Sequence, residues 1–140
     1  MQLKSLLGIS LLLISSITYA QTLETWNWDI YKMKFKAPGN MVIQANDANS
    51  YQATNNKITL EIYPRKGENL TYDGMKNAII NWAYQISLSY DPSTQPIYLK
   101  NINRYWGCAI DGTKQGFSAS ALLLINPDYP DLSYYVWISY

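Results

Sequence analysis

LSYYVWISY, residues 132–140, decides how the chain is read, because as a strand it has bulk on both faces. Successive side chains of a strand point to opposite sides. Leu132, Tyr134, Val136, Ile138 and Tyr140 share one face, and Ser133, Tyr135, Trp137 and Ser139 share the other. A strand with large groups on both sides belongs where both sides are covered. Either two layers flank the sheet, or one aromatic face is left to meet a ligand. The β-branched Val136 and Ile138 suit a packed core, so their face is expected under the helix described below. Tyr135 and Trp137 are then expected on the opposite, wetter face.

The rest of the chain supplies the partners. In WDIYKMKFK, Tyr31, Met33 and Phe35 alternate with Lys32, Lys34 and Lys36, which predicts one half-buried first strand. APGN predicts a turn, with Pro38 fixing φ and Gly39 free to take positive φ. MVIQA and YQAT read as short strands, and Asn55-Asn56 as a tight connection in which asparagine tolerates the left-handed region. KITLEIYP follows, with Ile58, Leu60 and Ile62 inward and Thr59, Glu61 and Tyr63 outward; Pro64 ends it.

The period then changes. Thr71 suits a cap and Asp73 the positive end of a helix dipole. Met75, Ile79, Trp82, Ile86 and Tyr90 recur at helical spacing up to Pro92, which predicts a helix of about five turns. The last third is strand and turn: IYLKNI, RYWGCAIDG, then FSASALLLI, then the terminal strand. In FSASALLLI, one face begins with Ser118 and Ser120 and continues as Leu122 and Leu124, so its far half is expected to be covered. The fold class expected is α+β: a mostly antiparallel sheet of about seven strands with one long helix packed on a face.

Composition narrows the chemistry. The first twenty residues, with Lys4 and the apolar run LLGISLLLISSI before Thr18-Tyr19-Ala20, have the order of a signal peptide cleaved after Ala20. That leaves residues 21–140 as a single domain, secreted or periplasmic. The only cysteine is Cys108, so no cysteine stands at the cleavage point to carry a lipid, and no intramolecular disulfide is possible. No membrane span is expected once the leader is removed. Without Lys4, ten basic residues balance ten acidic ones, which offers no electrostatic footprint for nucleic acid. The absence of histidine excludes Ser-His-Asp and Cys-His catalysis and histidine-ligated zinc.

FKAPGNM near the start, ITLEIYP before the helix and CAIDGTKQG in a later hairpin resemble the PsbP/Mog1-like superfamily of small α/β/α domains. The resemblance covers most of residues 21–140 and lies in element order and turn residues. It implies an antiparallel sheet, an early strand with a proline-containing turn and a helix after the first hairpin. It also implies mainly non-catalytic roles such as binding other proteins, and it supplies no site residues.

Among candidate sites, Asn126, Asp128 and Asp131 offer calcium oxygens, but without EF-hand spacing and between prolines that explain a stiff turn. Glu61, Asp29 and Asp111 are the acids nearest to strands, and a glycosidase would need two of them to converge. Cys108 shares the phase of Trp106 and Ile110 and reads as core. Lys32, Lys34, Lys36 and Lys57 would form a basic stripe if the first strand lay beside KITLEIYP. The thirteen tyrosines and five tryptophans are the outlier. Amphipathic rings suit binding surfaces, so Tyr135, Trp137, Trp28 and Tyr63 are the expected partner-binding residues. No metal or cofactor is expected. The expected function is an exported, non-catalytic domain that binds a protein or glycan through an aromatic sheet face. The alternative is a small envelope enzyme using Asp, Glu and Tyr.

Overall fold

The computed structural model describes residues 22–100, 102 and 105–140. The expected leader, residues 1–20, lies outside them. Within the described residues, nine strands and one α-helix come in the order β1 (Leu23–Trp28), β2 (Met33–Pro38), β3 (Val42–Asn46), β4 (Tyr51–Thr54), β5 (Thr59–Lys66), α1 (Met75–Gln85), β6 (Ile97–Leu99), β7 (Trp106–Lys114), β8 (Phe117–Ile125) and β9 (Leu132–Ser139). Seven strands form an antiparallel sheet in the order β3-β4-β5-β9-β8-β7-β6, while β1 and β2 pair only with each other. Thus β9 sits at the centre, between β5 and β8, which is where a strand bulky on both faces must go.

Three layers result. Helix α1 lies on one face of the large sheet and the β1–β2 hairpin on the other. Tyr134, Val136 and Ile138 pack with Trp28, Met33 and Phe35 under the hairpin. Tyr135 packs with Met75, Ile79 and Trp82 under the helix, with Trp137 at the margin of that cluster. The face assignment expected for β9 is therefore inverted: Val136 and Ile138 lie opposite the helix, and Tyr135 lies beneath it. Alternation separates the two faces of a strand but carries no information about which layer covers which. Leu122 and Leu124 are covered, as expected for the far half of their face, and the cover is the hairpin.

The first strand is a correction. WDIYKMKFK is not continuous: Asp29–Tyr31 form a turn of 3₁₀ helix, and Lys32 takes φ 52° as its amide donates to the Asp29 carbonyl. Leu23 to Trp28 then pair back along Met33 to Pro38. Because β2 is not a neighbour of β5, the basic stripe with Lys57 does not form.

Two turns, at Asn55 and at Gly39, work by other means than expected. The Asn55 side chain, not a left-handed backbone, shapes the β4–β5 connection, accepting from the amides of Lys57 and Ile58 at 2.8 and 2.7 Å. At the β7–β8 tip, Gln115 and Gly116 both take positive φ, as a two-residue primed turn requires. Gly39 is not left-handed; a Cβ there would strike the Glu24 carboxylate.

The helix is eleven residues, not five turns. Its inward positions are those the spacing gives: Met75, Ile79, Trp82 and Ala83 are buried. Its end is set by Ser87, which takes φ 58°. The Ser87 amide then donates to the Tyr84 carbonyl (3.1 Å) and the Leu88 amide to the Ala83 carbonyl (2.9 Å), the paired bonds of a Schellman stop. Leu88 closes over Ala83 in the same apolar cluster, and Ser89 bridges to Thr113 on β7. Gly112 permits that bridge, since a Cβ there would overlap the Ser89 carbonyl.

A left-handed residue other than glycine is strained by about 1–2 kcal/mol, whereas glycine adds entropy to the unfolded chain. Ser87→Gly is expected to stabilise the fold by about 0.5–1 kcal/mol net. A urea melt checks this. A lowered midpoint would show that the serine hydroxyl, rather than the backbone shape, holds the stop.

Candidate functional site

Helix α1 covers the β7–β8 half of its face. The other half, on β4, β5 and β9, is left open, and its side chains are half-buried: Gln52 and Thr54, then Thr59, Glu61 and Tyr63, then Trp137 and Ser139. Register brings them together. Gln52 stands opposite Glu61 on β4 and β5, and Glu61 opposite Trp137 on β9.

Glu61 is the centre. Its Oε1 accepts from the Tyr63 hydroxyl and from Trp137 Nε1 (3.2 Å). Gln52 Nε2 donates in turn to the Tyr63 oxygen at 3.3 Å. Burial, then the hydrogen bond to Glu61 and its charge, push the Tyr63 pKa well above the ordinary phenol value. Tyr63 is therefore a neutral donor at physiological pH, not a base or a nucleophile. The second ring is fixed from the other side: the Lys114 ammonium sits 5.0 Å from the Trp137 ring and donates to the Ile86 carbonyl at 2.6 Å.

Between this patch and the end of α1 runs a groove of about 420 Å³, walled by Tyr63, Trp137, Arg65, Trp82, Gln85 and Asn49. Arg65 is built in. Its guanidinium lies 4.2 Å from the Tyr135 ring and 5.4 Å from Trp82, and Nη2 donates to Gln85 Oε1 at 2.6 Å. Glu68 accepts from the Tyr135 hydroxyl at 2.6 Å and approaches Arg65 at 3.9 Å. Burial, then the bond to Glu68, raise the Tyr135 pKa against the opposing pull of Arg65, so this phenol also stays protonated.

Of the four expected ring residues, the structure brings together Tyr63 and Trp137. Tyr135 is a correction: at 1% exposure it lies beneath Trp82, with ring centroids 5.5 Å apart. Trp28 is another: at 0% exposure it lies on the opposite side of the sheet, where its Nε1 donates to the Asp47 carbonyl at 2.9 Å. Arg65, Gln85 and Asn49 were not singled out from the sequence, because they reach the groove only through the β5–β9 pairing and the early end of α1.

The remaining candidates fall elsewhere. Asp111 accepts from Ser120 Oγ (2.6 Å) on the hairpin side, whereas Glu61 is on the helix side, and Asp29 starts the hairpin turn. Asn126 Oδ1 accepts from the Asp128 amide at 3.0 Å, a side-chain turn of the stiff loop. Cys108 is buried in the core under the helix, and burial pushes its pKa up to about 11. Among the described residues no helix is long and apolar enough to cross a membrane. Comparison with protein-family models, with curated proteins and with solved structures finds no match, so the reading of this site rests on its own geometry.

Proposed function

We propose that the chain is an exported binding domain that engages a protein or glycan partner through the open half of its helix-side sheet face, with Trp137 and Tyr63 as contact rings. The observation that carries this reading is the tying of both rings to one carboxylate, Glu61, on a half-buried surface beside a groove. Rings fixed in this way lose little further freedom on binding, and tyrosine and tryptophan dominate binding hot spots. Amide and carboxylate groups beside a flat ring also suit the hydroxyls and apolar faces of a sugar. The resemblance to PsbP/Mog1-like domains implies a role of the same kind. The enzyme alternative needs carboxylates that converge. Glu61 and Asp111 occupy opposite faces of the sheet, and both tyrosines beside a carboxylate in this region are held protonated.

A glycan array and a pull-down from the source envelope, each with wild type and Trp137→Ser, test the proposal. Trp137 is only partly buried, so the variant is expected to lose about 1 kcal/mol or less of stability while partner affinity falls at least about tenfold. Retention of full binding by the variant would remove this face as the binding surface.

A further inference from the structure

A second, separate pocket of about 480 Å³ lies at the other side of the sheet, between the β1–β2 turn and the loop joining β8 to β9. Its body is aromatic and apolar: Tyr31, Tyr105, Tyr134 and Leu132 line it, and the Tyr31 and Tyr134 rings meet edge to face at 5.8 Å. Ile30 and Tyr129 stand at its lips, 55% and 67% exposed. Volume and lining are those of a small-molecule site, in which a few polar groups orient a largely apolar ligand.

The polar groups here are donors. Lys32 is the charged side chain in the lining, on a left-handed backbone whose amide donates to the Asp29 carbonyl. Asn126 spends its Oδ1 on the Asp128 amide, which leaves its NH₂ group. Tyr134 is buried and brings a hydroxyl to the lining. Burial, with Tyr105 and Tyr31 nearby, keeps that hydroxyl protonated and able to donate. Tyr31 already donates its hydroxyl hydrogen bond to the Ala48 carbonyl at 2.6 Å. Asp47, which raises the Tyr31 pKa after burial does, is not in the lining.

We propose that this pocket binds a small organic carboxylate, with a ring or short acyl body against the tyrosines and Leu132, and its carboxylate among Lys32, Asn126 and Tyr134. Acceptors on the ligand would meet donors on the protein, and an ammonium–carboxylate contact is roughly twice as strong as its neutral counterpart.

Calorimetry at neutral pH and low salt with phenylbutyrate and its uncharged analogue phenylbutanol tests the proposal. Phenylbutyrate is expected to saturate and to bind about tenfold more tightly than the alcohol. Lys32→Asn removes the charge while keeping a residue that tolerates the left-handed backbone; it is expected to bring the acid down to the affinity of the alcohol. Tyr129→Ala, at an exposed lip, is expected to weaken both probes alike. Trp137→Ser, on the opposite face, is expected to change neither, which keeps this site distinct from the partner surface. Equal affinity for acid and alcohol, an unaltered acid preference in Lys32→Asn, loss of binding in Trp137→Ser, or no saturable binding at all would each overturn it.

Discussion

Changing Trp28 to alanine is expected to cost about 3–5 kcal/mol and to loosen the β1–β2 hairpin before the rest of the domain. The hairpin shares no ladder with the large sheet, so it is held by packing and by side-chain bonds. Two such bonds run from its turn end: Trp28 Nε1 to the Asp47 carbonyl and the Tyr31 hydroxyl to the Ala48 carbonyl. Both reach the β3–β4 turn, which is itself fixed by Asp47 Oδ1 accepting from the Asn49 and Ser50 amides. The Trp28 ring also touches Tyr31, Tyr51 and Tyr134 at centroid distances of 4.5, 5.9 and 6.3 Å. Alanine would leave a ring-sized void in that cluster and an acceptor without its donor. An isolated two-stranded hairpin is marginal in water, so hydrogen exchange of the β1 and β2 amides should accelerate more than that of β8 and β9. A urea midpoint close to wild type, with β1–β2 protection retained, would mean that the remaining hairpin contacts suffice.

That role for Trp28 was not legible in the sequence, and the reason is physical. The strand pattern of Met33, Phe35 and the lysines is real, and those two side chains are buried as it implies. The turn before them, Asp29-Ile30-Tyr31-Lys32, carries none of the glycine, asparagine or proline that usually marks a reversal. It is made by a lysine in the left-handed region, so strand and turn read as one strand. The helix shows the same effect. Its buried stripe follows from periodicity, but its stop is a serine where glycine would have announced it, and Tyr90 and Pro92 carried the pattern too far. For the site, Tyr63 and Trp137 were found by residue type, and Glu61 by its place on a strand. That one carboxylate ties the two rings depends on β5 lying beside β9, with roughly seventy residues of chain between them, and no local signal encodes it.

The helix layer depends on Trp82 as the hairpin layer depends on Trp28, and Trp82→Ala is expected to cost about 3–5 kcal/mol. Met75, Ile79 and Ala83 seat α1 by apolar contact over β7 and β8. Trp82 adds a hydrogen bond to β9, where Nε1 donates to the Val136 carbonyl at 2.9 Å. Its ring fills the angle between Tyr63 and Tyr135, at 5.7 and 5.5 Å, beneath the Arg65 guanidinium. Trp82→Phe keeps most of the apolar volume and loses the indole donor, so about 1–2 kcal/mol is expected for it. The pair of urea melts separates packing from the hydrogen bond. If both variants cost the same, the bond to Val136 dominates; if neither moves the midpoint, the indole does not fasten the helix. The groove supplies a second readout. Trp82 forms part of its wall, so Trp82→Phe should weaken partner binding through the displacement of Arg65 and Tyr63 even where the fold survives. Trp137→Ser, by contrast, should weaken binding with the helix still seated.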